Sequence, residues 1–124
     1  LVAGDSMLSQ QQTDGIDLII ILTTMYAVIY QFKVVKGLED DFIWAWKQLT
    51  KAFVAHSGGL GSRLHKDGTG LYIAYAQWPN KESWQTAKEK LPESTMAYIT
   101  EMERCCKDKS VLYQMSVEND LLKV

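Results

Sequence analysis

The chain has 124 residues, 47% of them apolar and 23% charged. That composition suits one globular domain with a single hydrophobic core and excludes a largely disordered, collagen-like or membrane-embedded chain. Thirteen Lys plus Arg stand against fifteen Asp plus Glu, a formal net charge of −2, so nothing electrostatic points to nucleic acid or an anionic membrane surface as partner.

The charge is unevenly placed. Residues 1–24 hold Asp5, Asp14 and Asp17 but no Lys or Arg, whereas every aromatic residue lies beyond them. The shift divides the chain into an N-terminal extension over 1–24, a domain over 25–117 and a short tail over 118–124. The uncharged run 18–30, LIIILTTMYAVIY, falls short of the roughly twenty residues that cross a bilayer. Acidic and Gln-rich sequence precedes it, where a secretory signal would be basic. Residues 17–24 read either as a β-prone segment, adding a strand here or on a neighbouring chain, or as an upstream leader foreign to the domain.

Within the domain, 25–34 alternates: Tyr26, Val28, Tyr30, Phe32 and Val34 point one way, and Ala27, Ile29, Gln31 and Lys33 the other, which predicts a strand. Glu39, Asp40 and Asp41 then open a helix whose apolar positions Phe42, Trp46, Leu49 and Phe53 share a face, and Ser57, Gly58 and Gly59 end it. A short strand over 60–66 reaches Asp67-Gly68, a two-residue hairpin signal. The partner strand spans 70–78. Pro79 and Asn80 stop it and cap a helix running to about Leu91, where Pro92 interrupts. A second helical stretch covers 93–107 with Met96, Ile99, Met102 and Cys106 on one stripe, and 111–117 alternates as a last strand. The adjacent Cys105 and Cys106 cannot form an ordinary disulfide. They read as buried or half-buried thiols near a helix end, in keeping with a cytoplasmic protein.

This order predicts an α+β, ferredoxin-like βαββαβ fold, an antiparallel sheet with its helices on one face. Both sides of the third strand are mainly apolar: Tyr72, Ala74, Ala76 and Trp78 on one, Leu71, Ile73 and Tyr75 on the other. A strand with one wet face would alternate apolar with polar, so a second copy of the sheet is expected to cover the far face in a two-fold homodimer.

Motifs of well-known chemistries are missing, including the P-loop, G-x-S-x-G, H-E-x-x-H and paired C-x-x-C. Gly58, Gly59 and Gly61 follow a helix and enter a strand, the reverse of the order a phosphate loop needs. His56 sits in a last helical turn, and His65 alternates on a short strand. Two separated histidines do not make a metal site, so no metal is expected. The aromatics Trp46, Trp78 and Trp84, with Tyr30, Tyr72, Tyr75, Tyr98 and Tyr113, read either as an aromatic-rich core or as the walls of an apolar pocket for a flat aromatic ligand. Trp44, opposite the core stripe, is expected to be exposed or in an interface.

The segment FIWAWKQLTKAFVAHSGGLGSRLHKDGTGLYIAYAQWPNKESW resembles the antibiotic-biosynthesis monooxygenase family. The resemblance rests on the helix with Phe42 and Trp46, the Gly59-Leu60-Gly61-Ser62 turn into Leu64 and His65, and Gln77-Trp78-Pro79 leading to Ser83-Trp84. It implies a dimeric α+β barrel with one pocket per subunit. Some relatives oxidise aromatic polyketides or quinols without metal or flavin, and others bind and degrade haem. On this basis Trp78 and Trp84, with Trp46 and Tyr98, would shape a pocket for a small aromatic molecule. Tyr30, Gln31 or His65 would supply a hydrogen bond or proton relay, and no cofactor would be needed. Ala74 stands where an asparagine would be a natural polar partner. Residues 93–107 lack the histidine by which haem-degrading relatives hold iron. The implied function is a small monooxygenase-like enzyme, with a non-catalytic dimeric binding or stress-related module of the same fold as the alternative.

Overall fold

A computed structural model describes residues 24–123. All of the N-terminal extension except Thr24 lies outside them, and with it the β-prone run. Four strands form one sheet: β1 (Tyr26–Val34), β2 (Gly61–Lys66), β3 (Tyr72–Trp78) and β4 (Cys106–Ser116). Their order is β2-β3-β1-β4, with all neighbours antiparallel. Strand β1 is central, pairing Tyr26 with Trp78 on one side and with Ser116 on the other. Three helices, α1 (Glu39–His56), α2 (Lys81–Gln85) and α3 (Met96–Arg104), complete the ferredoxin-like fold.

Helix α1 takes its direction from charge and its depth from small residues. Glu39, Asp40 and Asp41 occupy its first turn, where negative charge meets the positive end of the helix dipole. Its buried residues are Phe42, Ala45, Leu49 and Ala52, spaced as one helical face. Ala45 and Ala52 let the backbone approach the sheet, whereas Trp46 and Phe53, expected on the central stripe, are only partly buried beside it. Phe42 is fully buried between Phe32 and Tyr72, with ring centroids 5.0 and 5.3 Å away. Burying such a ring is worth about 1.5–3 kcal/mol.

The helix closes as expected: the amides of Ser57 and Gly59 both donate to the Phe53 carbonyl, and Gly58 takes a φ of 78°. Gly59 is needed for closeness. A β-carbon there would lie 3.3 Å from the Trp78 ring and 3.4 Å from the Phe53 carbonyl. The buried Ser57 Oγ donates to the Ala87 carbonyl at 2.7 Å and ties the helix end to the segment after α2.

Three local expectations change. Asp67-Gly68 does not make a two-residue turn. Asp67 Oδ1 instead accepts from the amides of Thr69 and Leu71 and from the Thr69 hydroxyl, and Gly70 carries the positive φ of 93°, so an aspartate-centred loop replaces the tight hairpin. The helix capped by Asn80 is only five residues long. Asn80 Oδ1 accepts from the Ser83 amide at 2.8 Å as a cap should, but the chain tightens into a 3₁₀ turn at Ala87–Lys90 before Pro92. The last helix begins at Met96 after a second 3₁₀ turn and stops at Arg104, and β4 begins at Cys106, inside the stretch expected to be helical. The ladder decides that boundary: Lys109 pairs with Phe32 and Cys106 with Val34.

Cys105 is fully buried where α3 ends, and Cys106 is half-buried at the head of β4. Burial, and then the neighbouring Cys105, push the Cys106 thiol up to about 11, and burial raises Cys105 as well. Both shifts favour the protonated thiol over the nucleophilic thiolate. Among the described residues no helix is long and apolar enough to cross a membrane.

The far face of the sheet, away from the helices, carries Ala27 and Ile29 from β1, Ile73 and Tyr75 from β3, and Tyr113 and Met115 from β4. Tyr113 and Met115 are exposed, Tyr113 by 60%; Val111 is exposed too but pairs with Tyr30, on the helix side. Leu112 is a bulge, skipped between the Ile29–Tyr113 and Tyr30–Val111 pairs. An open depression of about 1270 Å³ on this face is bordered by Ile29, Ile73 and Tyr75 and by tail residues including Leu121 and Leu122.

Candidate active site

Between the sheet and the helices lies a cavity of about 120 Å³. Its floor is the helix-side face of the sheet, with Tyr30 and Phe32 from β1 and Ala74, Ala76 and Trp78 from β3. Its roof is α1, which contributes Trp46, Leu49, Thr50 and Phe53, with Ile99 and Met102 from α3 closing one side. The space follows from residue sizes. Ala74 and Ala76 leave the sheet low where Trp46 and Phe53 stand off it, so the two layers touch at Phe42 and part beyond it.

Two polar groups stand out in this apolar enclosure. The Trp78 ring packs edge-on against Phe53, 5.5 Å between centroids, and its Nε1–H is buried without a hydrogen-bond partner among the described residues. An unpaired buried donor of this kind costs about 1–3 kcal/mol, so its retention suits a site where a ligand completes the bond. Tyr30 Oη accepts a 2.6 Å hydrogen bond from Trp84 Nε1. The phenol keeps its own proton available because the tryptophan can only donate. Burial raises the Tyr30 phenol above its usual range, while the Trp84 bond pulls it partly back. It is therefore a neutral donor at physiological pH rather than a base.

The expected site residues divide in two. Tyr30, Trp46 and Trp78 come together on the cavity wall. Trp84 stands behind Tyr30, its ring tilted against Tyr26 at 6.0 Å, and fixes the phenol without lining the space. Tyr98 is not a cavity residue. It meets the half-exposed Trp44 edge-on at 5.5 Å, where α1 and α3 adjoin. Gln31 and His65 lie on the opposite sheet face, since Gln31 pairs with Ile73 and Ile73 with His65. His65 is exposed, with Nδ1 3.1 Å from the Ile73 carbonyl. Strand parity separates them from Tyr30: neighbours on a strand face opposite ways. Of the other tyrosines, Tyr72 packs in the core, and Tyr75 and Tyr113 belong to the far face.

Sequence reasoning did not find Thr50, Ser62, Lys88 and Lys109, which also line the cavity. For Lys109 the signal was its register opposite Phe32, hidden once the last strand was taken to begin at Val111. Among the described residues no carboxylate or histidine lines the space, and no group of three His, Cys, Asp or Glu is placed to hold a metal ion.

Comparison with known proteins places this geometry. The model of a family described as antibiotic biosynthesis monooxygenase matches residues 25–90, a little over half of the chain. Among solved structures, SnoaB from Streptomyces nogalater, described as a cofactor-independent oxygenase, shares 13% identity at a TM-score of 0.63, covering 81% of this chain and 99% of its own. Rv0793 from Mycobacterium tuberculosis shares 10% identity at a TM-score of 0.64, with 80% and 100% covered. A Caulobacter crescentus protein shares 14% at 0.66, with 83% and 98% covered. At such identities the likeness establishes the fold. A search of curated protein sequences returned no significant match.

Proposed function

The chain belongs to the antibiotic biosynthesis monooxygenase family, and on that premise we propose that it is a small oxygenase that oxidises an aromatic or quinol-type molecule in the cavity between sheet and helices. The observation that carries the reading is the buried Nε1–H of Trp78, unpartnered among the described residues, on a mainly apolar cavity wall that also holds the neutral Tyr30 phenol. Likeness in fold to a protein described as a cofactor-independent oxygenase favours a route that uses the substrate's own electrons.

In that route a quinol loses a proton, and the resulting anion passes an electron to dioxygen. One oxygen atom then enters the ring and the other leaves as water. For the simplest case, hydroquinone plus O₂ gives hydroxybenzoquinone plus H₂O, so the substrate itself supplies both hydrogens and the reducing electrons. The protein's part is to exclude water and to point fixed donors at oxygen atoms that become negative. Trp78 Nε1–H and Tyr30 Oη–H are those donors, and Trp84 orients the second. With no carboxylate or histidine on the wall, the substrate's proton leaves to solvent, helped by stabilisation of the anion.

The far face supports a two-fold homodimer packed sheet to sheet. Its exposed Tyr113 and Met115 adjoin half-buried Ile29, Ile73 and Tyr75, an apolar patch of the kind that marks an association surface. Oxygen uptake with a panel of hydroquinones and anthrones tests the chemistry. Saturable uptake is expected with at least one class; confirmed binding without uptake by any compound would leave a non-catalytic binding module.

A further inference from the structure

Lys88 and Lys109 come from different elements, a 3₁₀ turn and the edge strand β4, and both line the apolar cavity. Both are exposed, as lysines are when their stems cover apolar surface while their ammonium groups stay wet. Lys109 Nζ lies 3.8 Å from the exposed Glu103 carboxylate, beyond the reach of a charge-assisted hydrogen bond. Among the described residues Lys88 has no ion-pair partner and no carboxylate lines the cavity. The space is also small. At about 120 Å³ it resembles the roughly 150 Å³ apolar cavity that accepts benzene and falls well below the roughly 300–1,000 Å³ of sites for larger ligands.

We infer that the cavity takes an anionic, single-ring aromatic: a phenol or hydroquinone with one acidic substituent, whose charge Lys88 and Lys109 balance while a ring hydroxyl meets Tyr30 or Trp78. The inference rests on the reading of the cavity as the substrate site and narrows its ligand. Two exposed cations at the edge of the cavity raise the local concentration of an anionic ligand and favour it over a neutral one of the same shape. Three fused rings exceed the space without parting α1 from the sheet.

The test is a tryptophan-fluorescence titration of the full chain with 2,5-dihydroxybenzoate, hydroquinone and anthrone, since Trp46 and Trp78 line the cavity. The acid is expected to bind at least about tenfold more tightly than hydroquinone at low salt, with the preference shrinking as salt screens the lysines. Lys88→Met and Lys109→Met should each cut it about three- to tenfold at unchanged near-ultraviolet circular dichroism, and Lys47→Met, on the exposed side of α1, should not. Equal affinities for acid and neutral ring, tighter binding of anthrone, or binding of neither single ring would overturn the inference. The oxygenase reading fails separately, if the acid binds with this lysine dependence and no offered compound consumes oxygen.

Discussion

The two faces of the sheet are built from the same strands and differ by one residue of register, yet they have opposite fates. On the helix side Val28, Phe32 and Ala74 are at most 3% exposed, and the cavity there is lined by Trp78 and Tyr30. On the far side Tyr113 is 60% exposed and apolar residues stand uncovered. Parity along a strand therefore decides role. The even residues of β1 face the helices and its odd residues the far side of the sheet, which is why Gln31 does not stand on the cavity wall that Tyr30 lines.

Single substitutions on the two faces should separate these fates. Phe42→Ala, in the middle of the covered side, is expected to cost about 3–5 kcal/mol in urea unfolding. Tyr113→Ala should stay within about 0.5 kcal/mol at concentrations where the chain is monomeric; equal losses would erase the distinction. Association reverses the ranking. Tyr113→Lys should weaken self-association by about a hundredfold in sedimentation velocity, whereas a wild-type chain that is monomeric at micromolar concentration would remove the association surface altogether.

Smaller effects probe how the site is held. Trp84→Phe removes the hydrogen bond to Tyr30 and should cost about 1 kcal/mol. It should also raise the phenol further, because that bond is what offsets burial. The sign follows from linkage. The unfolded phenol ionises near 10.0 and the folded one later, so the native state holds the proton longer and stability falls as pH rises above about 10. In Trp84→Phe that fall should continue to higher pH, as followed by phenolate absorbance together with urea midpoints. Asn80→Ala, which removes the α2 cap, should cost about 1 kcal/mol, and Asn80→Gly a few tenths.

Much of this architecture was legible because alternation and helical spacing are enforced by burial. Tyr26 to Val34 declares its two faces, and Phe42 with Leu49 declares the buried side of α1. Boundaries were less legible where polar residues carry the structure. Lys107, Asp108 and Lys109 show no apolar alternation, so only pairing with β1 reveals that β4 begins at Cys106. Asp67-Gly68 has the composition of a tight turn, but the aspartate's bonds to Thr69 and Leu71 select a wider loop. For the site, the tryptophans signalled themselves by size. Choosing Tyr30 over Gln31 and His65 needed the side of the sheet on which the helices lie, and Lys88 and Lys109 needed the packing of elements distant in sequence.

Oxygen consumption by the wild-type chain and by Trp78→Phe, measured with the same quinol in excess and at matched near-ultraviolet circular dichroism, tests most directly whether the covered face is a site of oxidation. Removing one preorganised donor from a developing oxyanion typically lowers rates by about a hundredfold or more, so saturable uptake that falls at least about tenfold in the variant is the expected result. Uptake at the same rate in both proteins, or none in a wild-type chain that binds the quinol, would contradict it.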